Sequence, residues 1–253
     1  MIAKNRLKSM YNGRTLVFGH RGAMAYAPMN TLQAFELAYE QGADGIEFDV
    51  HRTKDGQLAI VHDFTVDETT DGTGNVTEMT LPQLKELDAG SWFSDEFRNA
   101  RIPTLEETIE TVGQKLFLNI EIKSMPPQDN GVEALIAECI QHHAIQDRVF
   151  VSSFNPLALK RFKKLLPDVP IGYLYMPGNL TEIHAWMSDT DHEAHHPYYK
   201  QIDADYMQWA KKHDYIVNTW TVNDLDKAKE LRDLGVNGII TNTPDKVIET
   251  LKA

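Results

Sequence analysis

The feature that most constrains this chain is an alternation that runs its whole length. Short β-branched, apolar runs are each followed by a segment with helical spacing. That alternation is the signature of βαβ units and a mostly parallel sheet. The strand candidates are Leu16–Gly19, Gly45–Val50, Leu116–Ile122, Val149–Ser152, Ile171–Tyr175, a weaker one near Glu193–His196, Tyr215–Val222 and Gly238–Thr241. Eight is the number at which a parallel sheet closes into a filled barrel. A length of 253 residues suits one such barrel, so the expected fold is α/β, a (β/α)8 barrel over residues 1–253.

Helix-end signals fill the gaps. Asn30 is positioned to cap a helix through Phe35, Leu37 and Ala38 that stops at Gly42. Thr104 and Glu107 form a capping box, Asn155-Pro156 pairs a cap residue with a first-turn proline, and Asn223 or Asp224 opens a helix ending at Gly235. Two segments break the alternation. Thr53-Lys54-Asp55-Gly56-Gln57 is a tight-turn signal, so Leu58–His62 is expected to fold back antiparallel on the second strand. Phe64 to Ile102 is polar and turn-rich with one short helix (Leu81–Leu87), and reads as an inserted subdomain over 64–102. It holds too few large apolar groups for a core of its own.

Composition excludes several classes. Hydrophobic residues are 42% and charged residues 25%, as in a globular chain, and the net charge is -12 from 25 basic and 37 acidic residues. An acidic surface disfavours nucleic acids and anionic membranes, both polyanions, so an anionic substrate needs cations gathered locally. No run approaches the ~18 apolar residues of a membrane span, and Met1 to Leu16 is polar and basic, so no stable membrane insertion and a cytoplasmic location are expected. Cys139, the single cysteine, lies in an apolar helical run and reads as a buried small hydrophobe. Oligomeric state is not legible.

Chemistry concentrates at strand ends, where parallel barrels carry their active sites. His20 and Arg21 follow the first strand between two glycines; the imidazole suits proton transfer and the guanidinium fork suits phosphate. Glu47 and Asp49 stand two apart on a strand, on one face and roughly 7 Å apart. Ile46, Phe48 and Val50 suit the helix-facing layer, which sends both carboxylates inward, where they demand a cation. Glu121 and Lys123 repeat the pattern, either as a third carboxylate beside a phosphate-binding lysine or as a plain buried ion pair. If Asp55-Gly56 is a two-residue loop, Lys54 pairs with Gln57 and His62 falls opposite Asp49, on the carboxylate face; a one-residue bulge would move it to the other face. Trp220, near a strand end, offers an apolar wall or core packing. His142, His143, His184, His192, His195 and His213 show no metal-ligand spacing, and His196-Pro197 sits at the weaker strand's end.

In these residues the chain resembles the glycerophosphodiester phosphodiesterase family, whose barrel also serves bacterial phosphatidylinositol phospholipases C. The ordered matches are His20-Arg21-Gly22, Asn30 to Phe35, Gly42 to Val50, Thr53 to Gly56, Val61-His62-Asp63, Glu121-Ile122-Lys123, Trp220 to Asn223 and Gly238 to Asn242. The resemblance implies His20 and His62 as the acid–base pair and Glu47, Asp49 and Glu121 as ligands of one Mg2+ or Ca2+. It also implies Arg21 and Lys123 on phosphate, with sn-glycerol 3-phosphate and an alcohol as products of a small-molecule glycerophosphodiester substrate. Where the family usually reads Pro-Glu-Asn-Thr, this chain has Pro28-Met29-Asn30-Thr31, so head-group preference and metal affinity are open. Two other readings are a phospholipase C- or D-like activity on lipid or lysolipid phosphodiesters, and a non-catalytic sugar-phosphate or metal-binding barrel.

Overall fold

In the computed structural model, which describes residues 1–125, 127, 129–178, 185 and 187–252, the alternation closes on itself. The strands are β1 (Leu16–His20), β2 (Gly45–Arg52), β3 (Leu58–Ile60), β4 (Phe117–Ile122), β5 (Val149–Ser153), β6 (Ile171–Tyr175), β7 (Ala194–Pro197), β8 (Ile216–Thr219) and β9 (Gly238–Thr241). All but β3 pair in parallel, β1 bonding to both β2 and β9, so eight strands form a closed (β/α)8 TIM barrel. The weaker run is a true barrel strand, β7, paired with β6 and β8. The run expected over Tyr215–Val222 is shorter, ending at Thr219.

Nine α-helices are described: α1 (Ile2–Tyr11), α2 (Leu32–Glu40), α3 (Leu81–Glu86), α4 (Leu105–Val112), α5 (Val132–His142), α6 (Pro156–Leu165), α7 (Ala204–Lys212), α8 (Leu225–Asp233) and α9 (Pro244–Lys252). The expected caps form at Thr104, whose hydroxyl and Glu107 make the reciprocal pair, and at Asn155, which accepts from the Leu157 and Ala158 amides. Asp224, rather than Asn223, caps α8. At α2 the cap is Thr31 and not Asn30, because Asn30 adopts a left-handed φ of 58° that a cap cannot use. His184 lies outside the described residues. No helix among the described residues is long and apolar enough to cross a membrane.

Outward residues of β2, β4 and β5 (Ile46, Phe48, Val50, Leu118, Ile120, Val151) join α2, α4, α5 and α6 in the largest apolar cluster, with half-buried Cys139 packed against it. Inside the barrel, space is shared between small and large residues. A Cβ on Gly172 would lie 2.5 Å from Nε2 of His196, so glycine there makes room for the buried ring. Leu16, Phe18, Phe150, Ala194 and Ile216 fill the interior, and Leu7, Met10 and Tyr11 of α1 pack onto them from the N-terminal ends of the strands. Tyr11 donates to Asn218 Oδ1 at 2.7 Å with both residues buried. The polar start of the chain thus supplies the barrel floor, which its apolar spacing at 3, 7, 10 and 11 fits. With the floor closed, the open end is the one where the strands finish.

A separate small cluster joins Ala59 of β3 and the adjacent Val61 to Val66, Val76, Leu84, Ala89 and Ile102.

Candidate active site

Strand register sets the layout. His20 on β1 is level with Glu47 on β2, Glu47 with Asn119 on β4, and Asp49 with Glu121. Four functional groups therefore rise in two adjacent layers on the inner face. After β1 the chain turns sharply: Arg21 (φ 51°) and Gly22 (φ 85°) are both left-handed, and a Cβ on Gly22 would overlap the Ala34 backbone at 2.6 Å. The turn aims the Arg21 amide at Glu47 Oε2 (3.4 Å) and sets Arg21 Nε 3.5 Å from Asp49 Oδ2. Arg21 Nη1 rests against the Met29 sulfur at 3.1 Å. Asn30, released from capping, donates from Nδ2 to Asp49 Oδ2 at 3.0 Å.

The hairpin register differs by one from the expected count. Val50 pairs with Ile60, His51 with Ala59 and Arg52 with Leu58, so Asp49 faces Val61, whose amide donates to its carbonyl at 3.1 Å. The cause is a three-residue loop, Lys54-Asp55-Gly56, with Gly56 left-handed at φ 80°. Thr53 and Gln57 close it, and Thr53 Oγ1 accepts from the Gln57 amide at 2.9 Å and donates to Asp55 at 2.6 Å. On this register His62 would turn away from the carboxylates. It does not, because the strand ends at Ile60 and a bend at residues 62–64 swings it back over the barrel mouth.

His20, Arg21, Glu47, His62 and Glu121 line one side of a cavity of about 210 Å3 there, and Phe154, Leu174, Trp220, Thr221 and Ile240 line the other. Trp220 is held by donation from Nε1 to the His196 carbonyl at 2.8 Å and meets Phe154 edge-on at 5.4 Å. Lys123 lies beside the carboxylates, its Nζ 3.0 Å from Glu121 Oε1 and 3.3 Å from Asp49 Oδ1.

Each histidine is oriented through Nδ1, by partners of different charge. His20 Nδ1 is 2.7 Å from the Asn242 amide oxygen, and His62 Nδ1 is 2.8 Å from the Asp63 carboxylate. With Nδ1 donating, each Nε2 is left to face the cavity. Burial drives the His20 pKa down to about 3, with Arg21 adding to it, so this ring is neutral. His62 is lowered too, by burial and by the Arg21 and Lys123 charges, against the opposing pull of Asp49 and Asp63.

The three carboxylates act on one another. Burial and the neighbouring Asp49 and Glu121 raise the Glu47 pKa well above the usual carboxylate range. Burial with Asp49 pushes Glu121 up to about 7. Burial opposes ionisation of Asp49 as well, but Lys123, Arg21, His62 and the Asn30 amide together hold its pKa below the ordinary value. Oxygens of Glu47, Asp49 and Glu121 lie within 4.8 Å of one another, all three residues are buried, and Asp49 Oδ1 has no hydrogen-bond donor. An all-oxygen cradle with two carboxylates reluctant to ionise alone fits a hard divalent cation.

Two histidines, two cations and three clustered carboxylates thus meet at the strand ends of a closed parallel barrel, a set with the chemistry to hold a divalent cation, neutralise an anion and move protons. The chain belongs to the glycerophosphoryl diester phosphodiesterase family, which it matches over residues 20–246. It is 41% identical to a glycerophosphodiester phosphodiesterase of Caldanaerobacter subterraneus over 94% of this chain and 98% of that protein. A glycerophosphodiester phosphodiesterase of Bacillus altitudinis is 36% identical over 93% and 97%. Among solved structures, an Oleispira antarctica phosphodiesterase in complex with the product sn-glycerol-3-phosphate superposes with a TM-score of 0.90 at 32% identity, covering 96% of this chain and 99% of that one.

Sequence reasoning brought His20, Arg21, Glu47, Asp49, His62, Glu121, Lys123 and Trp220 forward, and all eight gather at this mouth. It missed Asn242 as the residue that orients His20, the contact of Asn30 with Asp49, and the apolar wall of Phe154, Leu174 and Ile240. Asn242 directly follows β9, a strand-end position that was the available signal.

Proposed function

We propose that this protein hydrolyses glycerophosphodiesters to sn-glycerol 3-phosphate and an alcohol, with His20 and His62 as acid–base pair and one Mg2+ or Ca2+ held by Glu47, Asp49 and Glu121. The observation that carries this reading is the pair of histidines, one held by an amide and one by a carboxylate, on one cavity beside a buried carboxylate cluster. When bound, the cation supplies Lewis-acid polarisation of a phosphate oxygen and fixes the phosphate in place. His20, neutral and held by the uncharged Asn242 amide, takes the proton of the attacking hydroxyl, whether water or the glycerol 2-hydroxyl. His62, whose charged form Asp49 and Asp63 favour, passes a proton from Nε2 to the leaving alkoxide. Arg21 offsets the negative charge that builds on the phosphoryl oxygens. Lys123 holds Asp49 and Glu121 in place and adds positive potential. The Phe154, Leu174, Trp220 and Ile240 wall packs carbon atoms of the substrate.

The division of labour is tested by changing the leaving group. Glycerophosphocholine releases a poor leaving alkoxide that needs protonation, and a 4-nitrophenyl ester of glycerol phosphate does not. His62→Ala is expected to abolish turnover of the first and spare the second, while His20→Ala abolishes both. Normal turnover of glycerophosphocholine by either variant removes that histidine from the mechanism. A second reading, a lysolipid substrate, has one supporting feature: Met125, Phe154 and Met176, just beyond the ends of β4, β5 and β6, are exposed apolar side chains on the rim. Faster turnover of a lysophospholipid than of glycerophosphocholine would favour it.

A further inference from the structure

Away from the barrel mouth, α4 and α5 bring a second set of ligand groups together. Glu106 lies in the first turn of α4, and His142 and His143 end α5. One ligand atom from each lies within 4.8 Å of the other two. His143 Nε2 is itself shielded from solvent and has no hydrogen-bond partner, and it stands 3.6 Å from Glu106 Oε1. That is beyond the ~2.7–3.2 Å of an N–H···O bond. It is close to the roughly 3.3–3.5 Å that separates two ligands, each about 2.0–2.2 Å from a shared tetrahedral ion. The two imidazoles meet edge to face at 5.0 Å.

The surroundings favour a cation. The three residues line a cavity of about 420 Å3 with Glu138, Cys139 and the hairpin tip at Gly56 and Gln57. The end of α5 carries the negative pole of its helix dipole, and Glu138 adds charge. Two imidazoles with a carboxylate select borderline metals such as Zn2+, Co2+ or Ni2+, whereas the all-oxygen barrel mouth selects Mg2+ or Ca2+. We propose that Glu106, His142 and His143 form a second metal site, for a transition ion of the Zn2+ class. A bound ion there cross-links the start of α4 to the end of α5.

The difference in donor chemistry makes the site separable. Chelator-treated full-length protein is dialysed against Zn2+ in excess Mg2+, and retained zinc is counted. Co2+ is used in parallel for its visible spectrum. Wild type is expected to retain one zinc equivalent and give a tetrahedral Co2+ band. His142→Ala/His143→Ala, and separately Glu106→Gln, are expected to bind at least about tenfold more weakly, with Mg2+-supported phosphodiesterase turnover unchanged. Glu47→Gln, at the barrel mouth, is expected to keep the equivalent. Equal zinc retention by wild type and both α4–α5 variants would overturn the proposal, as would loss of the zinc in Glu47→Gln.

Discussion

Replacing Asp63 by asparagine tests the acid–base assignment, because it removes one charge and little volume from beside His62. The contact is 2.8 Å between Asp63 Oδ1 and His62 Nδ1, with the two side chains 41% and 32% exposed. Unit charges about 4 Å apart interact by about 1 kcal/mol in water and about 4 kcal/mol at an effective dielectric near 20. Exposure of both groups discounts the contact toward the lower end, about 1–2 kcal/mol, or roughly one pH unit. The sign follows from the chemistry. Asp63 favours the imidazolium, so Asp63→Asn lowers the His62 pKa. A general acid works only when protonated, so the alkaline limb of the kcat profile for glycerophosphocholine is expected to move down by about one unit. At the wild-type optimum kcat falls by up to about tenfold, the largest loss of protonated His62 that one pH unit brings. The assay is glycerol 3-phosphate release across pH. An unmoved alkaline limb would refute the assignment of His62 as acid, and a shifted acidic limb would make it the base.

Two further predictions concern the scaffold. Tyr11→Phe strips Asn218 Oδ1 of its donor inside the barrel floor; an unpaired buried acceptor costs about 1–3 kcal/mol, so Tm is expected to fall by about 2–12 °C while kcat is unchanged, and an unchanged Tm would deny that α1 seals the barrel. Asp88 accepts from the Gly90, Ser91 and Asn99 amides and from the Ser91 hydroxyl, which together depress its pKa, so its stabilisation is present above the unfolded value near ~3.9 and is lost as pH falls toward the folded one. Asp88→Asn is expected to lower Tm at neutral pH by about 2–6 °C, with the gap narrowing below pH ~4; a gap that is the same at both pH values would contradict this.

The fold was legible because burial on both faces of a parallel sheet forces apolar runs, and only eight such runs fit a barrel. The carboxylate layout was legible for the related reason that Ile46, Phe48 and Val50 leave Glu47 and Asp49 one direction to point. Loop length was not. Asp55-Gly56 marks a turn, but whether two or three residues leave the ladder depends on Thr53 closing onto Gln57, a contact the spacing does not reveal. His62 then reaches the site through a bend after Ile60, not through pairing opposite Asp49. Asn30 shows the same limit: its residue type suits a cap, but the left-handed backbone hands that role to Thr31 and turns Asn30 to Asp49. The Glu106, His142 and His143 cluster joins two helices some 35 positions apart, and no local spacing announces it.

The central claim is metal-supported cleavage of a glycerophosphodiester at the mouth of this barrel, and its most direct test is glycerol 3-phosphate release from glycerophosphoethanolamine. Purified protein is assayed as prepared, after chelation, and after restoring Mg2+ or Ca2+, with Glu121→Gln alongside. Release is expected from the wild type, loss on chelation, recovery with metal, and a requirement for more metal in Glu121→Gln. Release that continues undiminished in chelator, or no release under any condition, would contradict it.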